Sequence, residues 1–221
     1  EELGKMVYYS QEQDVLYVMA GGKLYQTDLK EEEQTVLAEG LTEEQYTLSE
    51  DGSRIAYQTA SAEDGVNGIQ VLDLQSGEGY TVEAADGETI RPLGFVNSDF
   101  VYGKARSEDS GTSPAGGEIT PMYEVEIRSS HNKEQAKYAF TDQGLYITDI
   151  LIEGNLLTLD RVQKDGDRYI TASPEYVTNN EERQDTKLTL ETYTTDIAGT
   201  EIRLTFADGI EDAEPELTGA D

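Results

Sequence analysis

Residues 45–84 read QYTLSEDGSRIAYQTASAEDGVNGIQVLDLQSGEGYTVEA, and they predict one complete β-sheet. The stretch contains four short runs rich in Tyr, Thr, Val and Ile, the residues that favour a pleated, half-buried strand. Two tight polar turns, EDGS and QSGE, and one longer loop separate the runs. Glycine in such turns supplies the positive φ angle that a hairpin needs. We therefore expect four antiparallel strands.

The ending of the third run recurs along the chain. Four segments, read in register, carry an acid at the fourth position and an aliphatic residue at the fifth. They are YQTDL, QVLDL, YEVEI and YTTDI, with the acids Asp28, Asp73, Glu126 and Asp196. Copies spaced roughly 40 to 70 residues apart are typical of one supersecondary unit that is repeated and stacked, because a single unit cannot bury its own apolar faces.

These repeats predict an all-β protein of about four repeats, in which four-stranded antiparallel blades stack as a β-propeller or partial propeller. Segments such as VLYVMA and LLTL are apolar at successive positions, so we expect strands that are covered on both faces. The sequence leaves open whether four blades close a ring or belong to a larger one. The expected propeller-like domain is 1–206, with blades at about 5–40, 41–85, 86–141 and 142–206, and an acidic tail or linker at 207–221.

The second repeat combines a serine, an Asp-Gly turn, an Ile-Ala-Tyr strand and a closing Asp-Leu-x-x-Gly turn. Together these elements resemble a blade of the TolB-like, WD-related propellers, and the match is best in residues 46–84. The chain has no Trp for the Trp-Asp signature of true WD repeats. The resemblance implies an architecture and no activity, since propellers host many functions. The matching residues are Ser49, Asp51, Gly52, Ile55, Ala56, Tyr57, Asp73, Leu74 and Gly77.

The composition is strongly acidic: 46 Asp and Glu against 16 Lys and Arg give a formal net charge of −30. This charge repels phosphate backbones and anionic lipid head groups, so we expect no nucleic-acid partner and no membrane insertion. No Cys is present, which excludes disulfides and thiolate chemistry. The chain opens with Glu1 and Glu2 in place of a basic, apolar leader. We expect an upstream signal or anchor and an extracellular or cell-surface location.

Three insertions distinguish the repeats, at 60–68, 105–121 and about 163–186, each between the second and third strands of its unit. Equivalent loops of a radial stack lie on one face, and elaborated loops on one face commonly form a binding surface. We expect a protein, peptide or glycan partner there, and the acidity favours a cationic one. The alternative is that these are merely tolerated surface loops. The predicted partner-binding residues are Asp64, Asn67, Glu108, Asp109, Tyr176 and Asn179.

The sequence contains no complete group of residues with the spacing of a known catalytic motif. His131 is the only histidine, and it lies in the polar segment SSHNKEQ, where we expect a solvated surface position. Ser130 and Lys133 fit a Ser-x-x-Lys spacing, but the partner motifs Ser-Asp-Asn and Lys-Thr-Gly are missing. Acidic stretches such as SAEDGVNG and KDGDRY lack the ligand spacing of a helix-loop-helix calcium site. We predict no catalytic residue, no cofactor and no metal site.

The sequence thus predicts a non-enzymatic module that binds or scaffolds proteins or other ligands, within a bacterial cell-envelope or secreted protein. Two alternatives remain open at this point. One is an accessory propeller domain of a larger hydrolase. The other is a calcium-stabilised structural spacer.

Overall fold

The computed structural model describes residues 6–60, 67–179, 188–195 and 199–206, the last two ranges by their backbone alone. The chain divides into two compact units, Glu1–Asn179 and Asn180–Asp221. Apart from three short 3-10 turns, the regular structure of the described residues consists of strands. None of those turns has the length or hydrophobicity to cross a bilayer. The turns are Glu43–Gln45, Ser107–Asp109 and Thr141–Gln143.

The first two repeats form separate four-stranded sheets in which every strand pairs antiparallel with the next one in sequence. The first sheet comprises β1 (Met6–Ser10), β2 (Val15–Ala20), β3 (Lys23–Asp28) and β4 (Glu33–Ala38). The second comprises β5 (Tyr46–Leu48), β6 (Arg54–Ala60), β7 (Asn67–Asp73) and β8 (Gly79–Glu83). The expected blades of antiparallel strands are confirmed here.

The third sheet contains β9 (Glu88–Val96), β10 (Asp99–Arg106), β13 (Met122–Arg128) and β14 (Glu134–Ala139), paired in that order. The second of the three insertions lies between β10 and β13 and forms a small hairpin of β11 (Gly111–Thr112) and β12 (Glu118–Ile119). The fourth sheet contains β15 (Leu145–Glu153), β16 (Leu156–Asp165), β17 (Arg168–Thr171) and β18 (Glu175–Thr178). A single pairing between β13 and β15 makes the two sheets continuous.

The fourth repeat departs from a simple meander. β16 pairs with both β17 and β18, and these two strands come from the segment that the sequence analysis assigned to the third insertion. Their sequences RYIT and EYVT are rich in β-branched and aromatic residues, which explains why the insertion forms strands. In the second unit, β19 (Leu188–Thr195) and β20 (Gly199–Phe206) pair with each other as an antiparallel hairpin.

Three apolar clusters hold consecutive sheets together. Tyr17 and Leu24 of the first sheet pack with Ile55 of the second. The second and third sheets share a cluster that includes Ile69 and Phe100. A third cluster joins the third and fourth sheets. Packing of each sheet against the next one is the arrangement expected of stacked blades.

The expectation that VLYVMA and LLTL would be covered on both faces is wrong. In β2 buried residues alternate with half-buried ones, and the same alternation runs through the start of β16. On the outer face of the first sheet, Val7, Tyr9 and Val36 are 67%, 49% and 46% exposed. The physical reason is that, among the described residues, the first sheet has its apolar cluster on one side only.

The connections in the first three sheets lie at the two ends of the strands, because neighbouring strands run in opposite directions. We refer to each of these ends as an edge of the sheet. We call the edge with the turns after the first and third strands the turn edge. The opposite edge, with the connections after the second strands, is the insertion edge. At the turn edge, residues at the ends of β5, β9 and β15, including Leu48, Asn97 and Glu153, line a cavity of about 500 Å³. The first strands of three sheets therefore converge, as in a radial stack.

The repeated acid closes a turn in the first two sheets. Oδ1 of Asp28 accepts hydrogen bonds from the backbone N–H groups of Lys30 and Glu31, at 2.8 and 3.0 Å. Oδ1 of Asp73 accepts bonds from the N–H groups two and three residues ahead, both at 3.0 Å. An aspartate in this position accepts backbone N–H bonds that would otherwise continue the strand pairing, and the chain turns there instead. Asp196, the fourth copy, lies outside the described residues.

The acid of the third copy, Glu126, has another role, so its expected equivalence to the turn acids is wrong. Glu126 is completely buried, and its Oε2 accepts a hydrogen bond of 2.6 Å from Nζ of Lys104. Nη2 of Arg128 lies 2.7 Å from Oε1, near enough for an ion pair although the N–H is not aligned for a hydrogen bond. β13 continues two residues past Glu126 before the turn begins.

Ser129 caps the turn in the third sheet instead. Its Oγ accepts hydrogen bonds from the N–H groups of His131 and Lys133, at 3.4 and 3.3 Å. The pairing register explains why Ser129 takes the place of the turn acid. Asp73 lies opposite Arg54, the first residue of the second strand β6. In the third sheet Arg128 pairs with Phe100, the second residue of β10, so the next residue, Ser129, holds the corresponding position. Structural equivalence is thus set by the strand pairing.

Candidate functional site

The first insertion is described only at its ends. Asp64, one of the predicted binding residues, lies outside the described residues. Asn67, another, pairs with Ala60 where β6 and β7 open toward the insertion edge. Asn67 therefore belongs to the predicted edge.

The second and third insertions meet at the insertion edge. β11 pairs in parallel with β17 through Thr112 and Arg168, and the backbone N–H of Thr112 donates to the carbonyl of Asp167 at 3.0 Å. Gly111 allows this approach, because a Cβ atom there would lie 2.9 Å from the same carbonyl oxygen. The two insertions thus form one continuous structure, which we call the insertion surface (residues 107–119 and 163–171).

Asp109 anchors the insertion surface. It is 7% exposed, and its carboxylate accepts hydrogen bonds from the Tyr146 hydroxyl at 2.9 Å and from Nζ of Lys164 at 3.2 Å. Its backbone carbonyl accepts a third bond, of 2.6 Å, from the hydroxyl of Tyr169. Because the partners lie on β15, β16 and β17, one residue ties the second insertion to three strands of the fourth sheet.

The two tyrosines of this anchor remain protonated donors at neutral pH. Burial raises the pKa of Tyr169 to about 12, with the charge of Asp109 as a further cause. Burial also raises the pKa of Tyr146, and the hydrogen bond to Asp109 acts in the same direction. The rings pack edge to face with centroids 5.5 Å apart, a favourable aromatic geometry. The anchor is therefore a satisfied, partly buried polar network.

Sequence reasoning placed Asp109 in a binding role but missed its partners Tyr146, Lys164 and Tyr169. They lie 37, 55 and 60 residues along the chain, and no local pattern connects them to Asp109. The structure assigns the Asp109 side chain to holding the insertion in place. Glu108, its exposed neighbour, is the predicted residue that faces solvent at this point.

The charge of the insertion surface is negative. Five acids lie in it against two bases, and one of the bases, Lys164, is paired with Asp109. Four of the acids are exposed. They are Glu108, Glu118, Asp165 and Asp167.

A cavity of about 340 Å³ opens between the two insertions. One wall is the small-residue segment Thr112–Gly116 of the second insertion, and the other is β17. Ile170 in that wall is 44% exposed, and Arg168 is exposed beside it. The insertion surface thus contains a concave, partly apolar region lined by one basic residue, and its four exposed acids lie outside that lining.

Tyr176 and Asn179 lie elsewhere. Tyr176 pairs with Thr158 near the start of β16, whereas Lys164, the partner of Asp109, lies near its end. Six residues of a strand span about 20 Å. The N–H of Asn179 donates to Asn155 in the β15–β16 turn, at the turn edge. Tyr176 and Asn179 therefore do not share one patch with Glu108 and Asp109.

The histidine region is exposed, as the sequence predicts. His131 lies in the β13–β14 turn, where its Nδ1 is 3.1 Å from Oγ of Ser130. Within the described part of the chain, no three His, Asp or Glu side chains are grouped so as to hold a metal ion.

No protein-family model and no curated protein sequence matches the chain. Solved structures do match it at low similarity. The β-propeller domain of the Trilobed protease from Pyrococcus furiosus is 14% identical, covers 93% of this chain and 71% of its own, and has a TM-score of 0.42. The RRP9 WD40 repeats are 9% identical over 78% of this chain and 52% of theirs, with a TM-score of 0.34.

TolB from Acinetobacter baumannii is 12% identical over 78% of this chain and 56% of its own, with a TM-score of 0.25. The chain spans about half the length of the WD40-repeat structures that it matches. The resemblance to TolB-like and WD-related propellers expected from residues 46–84 thus also appears among solved structures. It is a resemblance of sheet architecture and nothing more.

Proposed function

We propose that the chain is a non-enzymatic binding module that recognises a cationic protein or peptide through its insertion surface. The observation that carries this proposal is the assembly of two insertions, far apart in sequence, into one acidic surface. Asp109 and the β11–β17 pairing produce that assembly.

The construction of the surface argues against merely tolerated loops. Loops of that kind make few buried bonds and vary independently of one another. Here the second insertion buries a carboxylate, satisfies it with two side-chain donors and pairs with the third insertion. A fully satisfied polar network rigidifies the segment that carries it. A rigid surface loses less conformational entropy when it binds a partner.

The charge of the surface supports the choice of partner. The insertion surface carries four exposed carboxylates, and its cavity has the exposed Ile170 and Arg168 in one wall. Electrostatic complementarity steers association and discriminates against wrong partners. A partner with Lys or Arg around an apolar side chain matches this arrangement.

Binding assays with charge-reversed variants test the proposal. The insertion variant replaces Glu108, Glu118, Asp165 and Asp167 by Lys. The control variant replaces Glu12, Glu31, Glu32 and Glu33, exposed residues of the first sheet, and changes the net charge equally. Both are titrated with a library of Lys- and Arg-rich peptides, with Glu-rich peptides as the reference.

The insertion variant should lose at least about tenfold in affinity for the basic peptides, since several ion pairs at about 0.2–1 kcal/mol each are removed. The control should stay within about twofold. Equal losses in both variants would show a nonspecific charge effect and contradict the assigned surface. Failure of every basic peptide to bind the unmodified protein would contradict the cationic partner.

We also propose a cell-envelope or secreted setting, which rests on the sequence resemblance in residues 46–84. Fractionation of cells that express the full-length protein tests it. Recovery in the envelope or the medium is the expected result, and recovery in the cytosol contradicts this part of the proposal while leaving the binding surface intact.

A further inference from the structure

A third cavity, of about 410 Å³, lies at the turn edge, between the second and third sheets. Residues of β7 and β8 and the start of β6 form one side. The β9–β10 and β13–β14 turns form the other side, with Ser98 and His131 among the lining residues. The cavity is therefore separate from the insertion surface, which occupies the opposite edge.

Part of the lining of this cavity is apolar and aromatic. Val71 is 4% exposed and Phe100 is completely buried. Phe95 and Phe100 stand with ring centroids 5.6 Å apart and interplanar angle 49°. Gly79 lies in the same wall, where a Cβ atom would be 2.4 Å from a backbone carbonyl oxygen. Such a volume and lining are typical of small-ligand sites, which combine apolar walls with a few polar groups.

Two buried hydrogen-bond donors belong to side chains that line the cavity. The hydroxyl of Tyr80 is buried without a hydrogen-bond partner among the described residues. Nε of Arg54 is also buried without one: Oδ2 of Asp73 lies 3.3 Å away, but the N–H is not aligned with it. Burial raises the pKa of Tyr80 to about 12, so the hydroxyl keeps its proton at neutral pH.

Unsatisfied buried donors are rare in native proteins, because leaving one unpaired carries a desolvation penalty. Oδ1 of Asp73 in this wall is already used by two backbone N–H groups of its own turn, and Oδ2 faces Nε of Arg54 without alignment. The carboxylate of Glu78 also lines the cavity, but the Tyr80 hydroxyl and Nε of Arg54 have no aligned acceptor among the described residues. A ligand that fits it supplies the missing acceptor.

We propose that this cavity binds a small ligand with a planar apolar body and a carbonyl or carboxylate oxygen. The apolar body packs against Val71, Phe95 and Phe100. The oxygen accepts hydrogen bonds from Tyr80 and Arg54. The other polar side chains of the lining include Glu78, Ser98, His131 and Asn132.

Three fragments with the same ring test the proposal: benzamide, benzoate and benzylamine. The first two carry an acceptor oxygen, neutral or anionic, and the third carries only donors at neutral pH. Fragments of this size bind at about millimolar Kd. In titrations followed by amide resonances of the ¹⁵N-labelled protein, benzamide or benzoate should shift Gly79, Ser98 and Asn132, and benzylamine should not. Comparison of the affinities of benzamide and benzoate distinguishes a carbonyl ligand from a carboxylate ligand.

Tyr80→Phe isolates the hydroxyl. It should weaken the better fragment about five- to tenfold, the factor expected for loss of one hydrogen bond. The fold should survive, because the lost hydroxyl has no hydrogen-bond partner in the described part of the chain, and a thermal midpoint equal to or above that of the unmodified chain verifies this. Tyr138→Phe, on the far strand of the third sheet, is the matched control and should bind as before.

Three results would overturn the proposal. One is the absence of shifts at the three amides with every fragment. Another is an equal response to benzylamine, which would show that the ring alone binds. The third is unchanged affinity in Tyr80→Phe. None of these results bears on the insertion surface, whose test uses different residues and basic peptides.

Discussion

Asp73 and Glu126 occupy the same position in the repeated sequence pattern and have opposite environments. Asp73 lies at a turn, where its Oδ1 accepts two backbone bonds and its other oxygen faces Arg54. Glu126 lies inside the third sheet, fully buried between Lys104 and Arg128. One acid organises backbone at an edge, and the other balances cations in the interior. The acid that recurs in the sequence pattern therefore marks the end of a strand but does not identify a structural role.

The largest effect should come from Glu126→Ala. Its removal leaves Lys104 and Arg128 as partly buried cations without their central partner, and breaking such a pair costs about 3–5 kcal/mol. The free energy of unfolding, measured by urea denaturation, should fall by that amount. Glu124→Ala is the control, since Glu124 also bonds Lys104 but from a more exposed position, and it should lose about 1 kcal/mol. Equal losses in the two variants would contradict the distinction.

Asp73→Ala should lose less, about 1–2 kcal/mol, because two turn hydrogen bonds and one ion pair disappear at a partly exposed edge. Asp73→Asn keeps an acceptor oxygen and should recover about half of the loss. Denaturation of both variants measures the difference. If the Asn variant is as unstable as the Ala variant, charge and not capping is what Asp73 contributes.

A third test uses pH on another turn acid of the second sheet, Asp51. Hydrogen bonds from the Ser49 hydroxyl and from the N–H and hydroxyl of Ser53 lower the pKa of Asp51 from 3.8 to about 2. Because the folded state has the lower pKa, this contribution is present above about pH 4 and is lost as the pH falls toward 2. The carboxyl carbon shift should titrate near pH 2 in the folded protein. A midpoint near 4 would show that the turn does not hold the carboxylate.

The smallest effect should come from Ser129→Asp, which restores the turn acid in the third sheet. The new carboxylate should accept the bonds now made at 3.3 and 3.4 Å and raise the free energy of unfolding by about 0.5 kcal/mol. Lys133→Asp, in the same turn but without this acceptor role, serves as the control. A decrease in the Ser129→Asp variant would contradict the structural equivalence of Ser129 and Asp73.

The sequence predicted the sheets well, because their signals are local. Alternating strand formers and Asp-Gly or Ser-Gly turns define β5 to β8 without reference to the rest of the chain. The second insertion was also located correctly, since its small and turn-forming residues interrupt two strands. Its internal hairpin of β11 and β12 was not predicted, because two-residue strands leave no periodic pattern.

The candidate site could not be derived in the same way. Asp109 finds its partners across 37 to 60 residues, and only the folded sheets bring them together. The exposure of Val7 and Tyr9 was missed for a similar reason, since coverage of a sheet face depends on a neighbouring sheet. The separation of Tyr176 from Asp109 follows from positions along β16 that sequence spacing does not contain.

The parallel contact between Thr112 and Arg168 has a practical consequence for engineering. This contact holds the two insertions together, so lengthening either insertion between the contact and its sheet would displace both. The hairpin tip at residues 114–117 lies beyond the contact and is exposed throughout. A foreign peptide inserted into that tip would be displayed on a rigid support. The same peptide inserted at Asp167 would disrupt the contact between the two insertions.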